Sequence, residues 1–462
     1  MQPHLNSQTG LLEFSYQFSD RDDPNLFRNM YPYQEIPKLI FNQRIVPMDL
    51  PEDIFITDTT FRDGQQARSP YAIEEVVDLY TLLHKLDNGS GVIRQSEFFL
   101  YSQKNRETVI QCREKGFRFP EITSWIRAKK EDFQLVKDLE LKETGILVSC
   151  SDYHIYNKMK WTRSEALKNY LSVVIAALDA GVRPRCHFED ITRADFFGFV
   201  LPFANELMKL MEQYKIPIKV RACDTLGLGT FIPGVVLPRS VGQIMYNLKN
   251  YAGVPSALLE WHGHNDFYHA VSNAVTAWLH GAAAINTSLL GIGERTGNTP
   301  LEAMCIEYCE LKGHNGGMDL RVITEIAEYF EQNLDYQIPP RTPFVGRAFN
   351  STRAGIHADG LLKDEEIYNI FDTTAILGRP PAIIVDATSG AAGIAAWINT
   401  YFSLSGDEKI DKQNPCVAKI REWVDSQYAA GRNTSIGDLE LENEVHKHCP
   451  ALLVKRESRV AI

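Results

Sequence analysis

Eight short apolar runs alternate with eight amphipathic stretches between residues 51 and 315, and this rhythm constrains the fold more than any other feature of the chain. The amphipathic stretches repeat their apolar residues with helical spacing, so each unit is a strand followed by a helix. Eight such units predict an α/β fold, a (β/α)8 TIM barrel. A doubly wound open sheet is the alternative, but no G-x-G-x-x-G motif follows the first strand. The predicted strands are 53–60, 91–99, 119–125, 144–151, 183–189, 217–224, 257–264 and 282–289.

The same rhythm divides the chain into three regions. Residues 51–315 are the predicted catalytic barrel, and residues 1–50 precede it as an N-terminal arm. The arm is rich in aromatic residues, which are scarce in disordered tails, so we expect it to lie on a folded body, its own or a partner's. Residues 316–462 are predicted to form a linker and mainly helical C-terminal subdomains, with a glycine- and alanine-rich turn at 389–393.

The charge, the cysteine pattern and the lack of long apolar runs limit the compartment and the partners that we expect for this protein. The net charge of −11 and the pI near 5.6 argue against general nucleic-acid binding, so an anionic substrate needs a local positive pocket. The eight cysteines form no C-x-x-C pair, as expected for thiols in a reducing compartment. No signal-peptide pattern begins the chain, and no apolar run approaches 18 residues. These features predict a cytoplasmic protein that contacts neither nucleic acid nor membrane.

Conspicuous polar residues follow the predicted strands at their carboxyl ends. In a TIM barrel all these ends meet on one face, which carries the active site. Agreement among six separate segments is therefore a stronger signal than any one of them. The residues are Arg62 and Asp63 after strand one, Glu97 on strand two, Glu189 and Asp190 on strand five, Asp224 and Thr225 on strand six, His262 and His264 on strand seven, and Glu294 to Asn298 after strand eight.

Asp63, His262 and His264 form a candidate metal site. The two histidines are two residues apart on a strand, so their imidazoles project from the same face. Two imidazoles and one carboxylate leave coordination positions open for water or substrate. Two such histidines alone would more often be buried and hydrogen-bonded, and the facing aspartate is what favours a metal. The donor set suits several divalent metals, among them Mn, Zn and Co.

Three motifs are similar to the signatures of the DRE-TIM metallolyase superfamily. They are Asp58-Thr-Thr-Phe-Arg-Asp-Gly-Gln-Gln66, His262-Gly-His-Asn-Asp-Phe267 and Gly291-Ile-Gly-Glu-Arg-Thr-Gly-Asn298. Within the superfamily the chain resembles the Claisen-condensing branch, which comprises isopropylmalate, homocitrate and citramalate synthases and the citrate (Re)-synthases. The resemblance implies a divalent metal (Mn, Zn, Co or Mg), acetyl-CoA as co-substrate, and hydrolysis of the thioester after the condensation.

The resemblance also implies roles for single residues. Asp63, His262 and His264 would bind the metal. Arg62, Glu97, His357 and Tyr368 would be catalytic, with Arg62 on the developing oxyanion and Glu97 with His357 as candidate bases. Arg62, Arg185, Glu189, Thr225 and Asn298 would bind substrate. In the family the histidine and tyrosine come from the neighbouring subunit, which implies a homodimer with its C-terminal region swapped over the partner's active site.

The oxo acid is predicted from two features. Arg185 lies on the same face of strand five as Glu189 and resembles the arginine with which homocitrate synthases hold a distal carboxylate. A buried structural ion pair is the other interpretation of Arg185. The second strand ends in bulky residues, Phe98, Phe99 and Tyr101, which favour the short oxaloacetate over 2-oxoglutarate. The long arm and Phe61 also resemble citrate (Re)-synthases, so we expect oxaloacetate to be converted to citrate, with homocitrate, isopropylmalate or citramalate synthase as alternatives.

Enzymes of other classes share parts of this pattern. A lyase of the hydroxymethylglutaryl type would carry a cysteine in the loop after strand eight, but residues 292–298 contain none. A biotin-dependent carboxyltransferase is disfavoured because no biotin-attachment segment is evident in the sequence, but a carboxyltransferase subunit stays open because that segment could belong to a separate chain. A metal-dependent aldol lyase or carboxyltransferase subunit is thus the alternative from a different class.

Overall fold

Eight parallel strands close into a barrel in the computed structural model. Each strand pairs with its neighbours along the chain, and the last closes the ring on the first, with Ala284 opposite Phe55 and Thr287 opposite Asp58. The predicted TIM barrel is confirmed, and every strand matches its predicted run to within two residues at each end. The strands are β1 (Phe55–Asp58), β2 (Ile93–Phe99), β3 (Glu121–Ile126), β4 (Glu143–Ser149), β5 (Arg183–Glu189), β6 (Lys219–Asp224), β7 (Leu259–Gly263) and β8 (Ala284–Thr287).

The structure describes residues 3–5, 12–14, 17–127, 129–353, 355–402, 404 and 406–450. They form two compact units, Met1–Asp319 and Leu320–Ile462. Among these residues no helix has the length and apolar character needed to cross a membrane. The helices that follow the barrel strands are α1 (Ile73–Asp87), α2 (Gln103–Glu114), α3 (Phe133–Asp138), α4 (Arg163–Asp179), α5 (Leu201–Tyr214), α6 (Val241–Asn250), α7 (Ala270–Leu279) and α8 (Leu301–Lys312).

Strand β5 illustrates how the sequence separates the two layers of the barrel. Side chains alternate between its two faces, so Cys186 and Phe188 share one face and Arg185 and His187 the other. Phe188 stacks on Phe203 of α5 with ring centroids 5.0 Å apart, which places the first face against the helices. The second face therefore turns into the barrel.

The barrel interior is charged, whereas bulky branched residues fill most TIM barrels. Arg185 on β5 pairs with Glu97 on β2 and with Glu143 on β4. Because β2 and β5 are not neighbours in the sheet, the Arg185–Glu97 contact passes through the interior. All three side chains are at most 2% exposed, and buried charges are tolerated only when they are paired in this way.

Residues 17–50 of the N-terminal arm lie on the barrel of their own chain. Ser19 N donates to the carbonyl of Gly198 over 2.9 Å, and Asn25 N donates to Asp152 Oδ2 over 2.7 Å. Further along, Arg239 Nη1 donates to the carbonyl oxygen of the arm residue Lys38 over 2.9 Å. Two short strands at the start of the arm, Pro3–Leu5 and Leu12–Phe14, pair with each other. Residues 1–2, 6–11 and 15–16 of the predicted arm lie outside the described residues.

The second unit is mainly helical, as predicted. A disulfide links Cys416, at the start of α13 (Pro415–Ala429), to Cys449, just after α14 (Asp438–His448), although the cysteine spacing indicated no pairing. The predicted turn at 389–393 is wrong, because helix α12 (Gly390–Tyr401) begins there and buries Ile394 and Trp397 in the core of the unit. The helices are α9 (Val322–Asn333), α10 (Gly355–Lys363), α11 (Thr373–Leu377), α12 (Gly390–Tyr401), α13 (Pro415–Ala429) and α14 (Asp438–His448).

Candidate active site

Asp63, His262 and His264 converge at the carboxyl end of the barrel strands. Asp63 Oδ2 lies 3.4 Å from His262 Nε2 and 3.7 Å from His264 Nε2. The two Nε2 atoms are 3.2 Å apart, and all three side chains are buried. Within the part of the chain that the structure describes, these three side chains form a group whose ligand atoms lie close enough together to bind one cation.

Hydrogen bonds fix the orientation of His262. Its Nδ1 lies 2.7 Å from Asn286 Oδ1, and Asn286 Nδ2 donates to Thr57 Oγ1 over 2.9 Å. Since the amide nitrogen of Asn286 is the donor to Thr57, its oxygen accepts the Nδ1 proton of His262. The Nε2 lone pair of His262 therefore points toward Asp63. Burial lowers the pKa of His262 to about 3 in spite of the Asp63 carboxylate, so the imidazole is neutral.

Asn298 and Arg62 hold the Asp63 carboxylate. Asn298 Nδ2 donates to Asp63 Oδ2 over 2.8 Å, and Arg62 Nη1 lies 3.6 Å from Asp63 Oδ1. Burial alone would raise the pKa of Asp63, but the positive charge of the neighbouring Arg62 guanidinium outweighs burial and lowers the pKa. The carboxylate is therefore ionised, as a metal ligand must be.

The donor set fits a divalent cation. Three acceptor atoms face one another at 3.2–3.7 Å, close to the spacing of about 3.0–3.4 Å that ligands 2.1 Å from a common metal would have. His264 Nδ1 is buried and has no hydrogen-bond partner among the described residues. Two neutral imidazoles beside a carboxylate supply the ligands that first-row transition metals prefer.

Glu97 anchors Arg62 to the charged interior of the barrel. Arg62 Nε donates to Glu97 Oε2 over 2.8 Å, and Arg221 Nη1 donates to Glu97 Oε1 over 3.1 Å. Burial alone would raise the pKa of Glu97, but Arg221, Arg185 and Arg62 lower it well below its ordinary value. A carboxylate surrounded by three guanidinium groups is a weak proton acceptor. This geometry favours an orienting role for Glu97 over the role of base that the sequence predicted.

Arg185 is fully engaged within the barrel. Its Nη1 donates to Glu143 Oε1 over 3.0 Å, its Nη2 pairs with Glu97, and the side chain is 0% exposed. These contacts favour the second interpretation of Arg185, a buried ion pair. Its contact with a substrate carboxylate stays a prediction.

Glu189 and Thr225 lie at the ends of adjacent strands and are held by neighbouring loops. Ser149 Oγ donates to Glu189 Oε2, and His154 Nδ1 lies 3.3 Å from the same oxygen. Thr225 Oγ1 accepts a hydrogen bond from Asp190 N over 2.8 Å. The loops after β4, β5 and β6 are thus linked where the sequence predicted substrate-binding residues.

The bulky residues at the end of β2 do not share one role. Phe98 stacks on Phe61 with centroids 4.9 Å apart and meets Tyr80 of α1, so it faces the helices because side chains alternate along the strand. The prediction that Phe98 narrows the pocket is therefore wrong. Phe99 lies on the other face and packs edge-on against Trp125, with centroids 5.6 Å apart.

Glycine at position 145 opens space beside these aromatic residues. A Cβ at Gly145 would lie 2.6 Å from His187 Nε2 and 3.0 Å from Trp125 Cδ1. Any larger residue there would displace the His187 ring or the indole. His187 and Trp125 therefore depend on Gly145 for their positions, and none of these three was predicted from the sequence.

His357 and Tyr368 lie in the second unit, close to each other. Their ring centroids are 4.4 Å apart. His357 is exposed and Tyr368 is 47% exposed, so both side chains are accessible on the surface of that unit.

Sequence reasoning also missed the residues that hold the predicted ones. Asn286 orients His262, while Arg221 and Glu260 complete the ion pairs around Glu97. Glu260 carried a usable signal, since it lies two residues before His262 and therefore faces the same side of β7. Arg221 and Asn286 carried none, because their partners lie on other strands.

Known proteins resemble this chain over nearly its whole length. Residues 53–330 match the HMGL-like family. Citrate (Re)-synthase from Clostridium kluyveri is 57% identical over 97% of this chain and 99% of its own length. Citrate (Re)-synthase from Syntrophus aciditrophicus is 54% identical over 96% of this chain and 71% of its own length. A 2-phosphinomethylmalate synthase from Streptomyces hygroscopicus is 35% identical over 92% of this chain and 96% of its own length. The similarity extends through the barrel and the second unit alike.

Proposed function

This chain belongs to the HMGL-like family, in the Claisen-condensing branch of the DRE-TIM metallolyases, and we propose on that basis that it is a citrate (Re)-synthase. The proposed reaction joins the methyl carbon of acetyl-CoA to the carbonyl carbon of oxaloacetate and then hydrolyses the thioester to citrate and CoA. The observation that carries the proposal is the convergence of Asp63, His262 and His264 beside Arg62.

Asp63, His262 and His264 would hold the divalent cation. A bound cation would supply Lewis-acid polarisation of the oxo-acid carbonyl. The neutral His262 imidazole and the ionised Asp63 carboxylate support this assignment, since both present lone pairs toward the point of convergence. Asn286 and Asn298 would keep His262 and Asp63 in place, as supporting residues of metal sites commonly do.

Arg62 would stabilise the negative charge that develops on the oxaloacetate carbonyl oxygen as the carbon–carbon bond forms. A fixed guanidinium in a buried site is effective because it needs no reorganisation during the reaction. The Arg62–Glu97 hydrogen bond supports this role, since it fixes the direction of the Arg62 side chain. We therefore assign Glu97 an orienting function.

A base must take a proton from the acetyl-CoA methyl group before that carbon attacks. Glu97 is poorly suited to accept it, because three arginines stabilise its ionised form. His357, paired with Tyr368, is the better candidate. By resemblance to the family synthases, we propose that these residues act on the barrel of the partner in a homodimer. The homodimer and the predicted cytoplasmic location are expectations from sequence and family resemblance.

The choice of oxo acid is proposed from pocket length. Phe99 and Trp125 crowd the interior face at the end of β2, which supports a short substrate such as oxaloacetate. Glu189, Thr225 and Asn298 would line the same pocket from the loops after β5, β6 and β8.

The test is CoA release from acetyl-CoA with oxaloacetate, 2-oxoglutarate, 2-oxoisovalerate and pyruvate, each with and without Mn²⁺ after chelator treatment. We expect turnover with oxaloacetate to exceed the others and to require the metal. Preference for 2-oxoglutarate would identify a homocitrate synthase instead. Metal-independent turnover would contradict the role of Asp63, His262 and His264.

A further inference from the structure

Arg295 connects three of the loops at the carboxyl face of the barrel. It lies in the loop after β8, three residues before Asn298. Its Nε and Nη2 donate to the two carboxylate oxygens of Asp266, over 2.9 and 3.2 Å, in the loop after β7. Nη2 also donates to the carbonyl oxygen of Thr225, in the loop after β6, over 2.5 Å. We call this arrangement of Arg295, Asp266 and the Thr225 carbonyl the loop clamp.

The backbone around the loop clamp is close-packed. Asn265 N donates to the carbonyl of Gly297 over 2.9 Å, next to a bridge between His264 and Asn298. A Cβ at Gly227 would lie 2.8 Å from Asp266 N, so only glycine admits this approach of the two loops. The loop clamp therefore adjoins the segments that carry His264 and Asn298.

The backbone of Arg295 is itself held in an unusual conformation. Its φ of 56° is in the left-handed region, which residues other than glycine rarely adopt. Such conformations persist where surrounding contacts impose them, and they concentrate at functional sites. The same residue contacts Asp266 and Thr225 in the two neighbouring loops.

We propose that Arg295 is a positioning residue, which sets the placement of His264 and Asn298 and thereby the affinity of the site for a divalent cation. The inference rests on the proposed function only in that the site binds a metal. The Arg295 guanidinium donates to Asp266 and to the Thr225 carbonyl, so we assign it an action through the loops that hold these residues. Residues that support metal ligands typically change metal affinity by about 10–100-fold when they are replaced.

The chain contains a matched control for the loop clamp. Arg94 and Asp53 form a second forked pair, with N–O distances of 2.9 and 3.0 Å. Asp53 precedes β1 and Arg94 lies at the start of β2, so this pair is at the amino end of the strands, away from the site. Its side chains are also partly exposed, 31% for Arg94 and 68% for Asp53.

The experiment measures Mn²⁺ affinity by equilibrium dialysis without either substrate, for wild type, Arg295→Ala, Arg295→Lys, Asp266→Asn and Arg94→Ala. We expect Arg295→Ala to weaken Mn²⁺ binding by at least about 10-fold and Arg94→Ala to leave it unchanged. Arg295→Lys should weaken it too, because an ammonium cannot bridge both partners as the planar guanidinium does. Melting temperatures of the Arg295 and Arg94 variants should be similar, since exposed ion pairs contribute little to stability.

Equal Mn²⁺ affinity in Arg295→Ala and Arg94→Ala would overturn the inference. If Arg295→Ala fails to fold, the Mn²⁺ affinities of Asp266→Asn and Arg295→Lys are compared with that of Arg94→Ala instead, and equal affinities would again overturn the inference. If the wild-type protein binds Mn²⁺ but releases no CoA with any oxo acid, the proposed function is refuted. The inference about the loop clamp is then still tested by the Mn²⁺ affinities of the variants. Wild type that binds no divalent cation would overturn both.

Discussion

The Arg62 Nε atom donates a hydrogen bond to Glu97 Oε2 over 2.8 Å, and this contact joins the candidate active site to the ion pairs inside the barrel. Glu97 also meets Arg185 and Arg221, which are both completely buried. The direction of the Arg62 side chain is therefore set by a buried network of ion pairs inside the barrel.

Replacing Glu97 by glutamine tests this relationship. The variant keeps the shape but removes the charge that balances Arg185 and Arg221, so we expect it to lose about 3–5 kcal/mol of stability, as other broken buried ion pairs do. Turnover should fall because Arg62 loses its anchor, while the pH profile of kcat/KM in the variant keeps its acidic limb. Loss of that limb would show instead that Glu97 is the base. Denaturant unfolding and pH-dependent kinetics provide the two measurements.

Metal binding should depend on Asn286 as well as on the three ligands. Asn286→Ala removes the acceptor that orients His262, and we expect about 10–100-fold weaker Mn²⁺ binding. His262→Ala should abolish tight binding. Asn250→Ala, on the exposed surface of α6, is the matched control and should bind as wild type. A metal-bound structure should place the ligand atoms about 2.0–2.3 Å from the ion. Any of the three ligands turned away from that ion would contradict the assignment.

His357→Ala should lower turnover by about 10²–10⁴-fold with little loss of oxaloacetate binding, the usual range for a general acid or base. His446→Ala, an exposed histidine on α14, is the control. A mixture of His357→Ala and Asp63→Ala subunits tests whether the site is shared between subunits. Recovery of part of the wild-type activity is expected for a swapped homodimer. An unchanged rate in His357→Ala would remove this residue from the mechanism.

Arg185→Ala distinguishes the two interpretations of that residue. If Arg185 forms only a buried ion pair, the variant should lose about 3–5 kcal/mol of stability. Its turnover should then fall to the same extent with every oxo acid. As a ligand of the distal carboxylate, it should lower kcat/KM for oxaloacetate by roughly 30-fold or more, corresponding to at least 2 kcal/mol. Residual turnover with pyruvate, which lacks that carboxylate, would then be spared. The ratio of kcat/KM for oxaloacetate to that for pyruvate, measured together with the melting temperature, distinguishes the two interpretations.

Glu302 predicts a pH dependence of stability. It lies near the start of α8, where Leu290 N donates to its Oε2 over 3.1 Å, and burial raises its pKa to about 7. The pKa of Glu302 in the folded state lies above the unfolded value of about 4.3. The protonated carboxyl therefore stabilises the fold fully below about pH 4.3, and this stabilisation is lost as the pH rises toward 7. The loss is at most about 1.4 kcal/mol per pH unit.

Glu302→Gln should therefore raise the melting temperature at pH 8 and change it little at pH 4.5. Glu310→Gln, on the exposed face of the same helix, is the matched control. Equal shifts of the Glu302 variant at both pH values would show that titration of this carboxyl does not control the stability.

The barrel and the polar residues at its carboxyl end were predictable from the sequence, because both depend on local patterns. Alternation of strands and helices determines the fold class, and the barrel then gathers residues that follow different strands on one face. Asp63, His262 and His264 could thus be grouped although about 200 residues separate them. The disulfide between Cys416 and Cys449 had no comparable local pattern.

The pairing of charged side chains across the barrel interior could not be predicted from local sequence patterns. The Arg185–Glu97 pair joins β5 to β2, strands that never pair in the sheet, and its existence depends on how the barrel closes and staggers. Strand periodicity shows that Arg185 points inward, but it does not show what it meets there. The same limit applies to Arg295, whose left-handed backbone and contacts with Asp266 and Thr225 follow from the packing of three loops. Local sequence patterns therefore predicted where the site lies, whereas the contacts that each residue makes there depend on the packing of side chains from distant strands and loops.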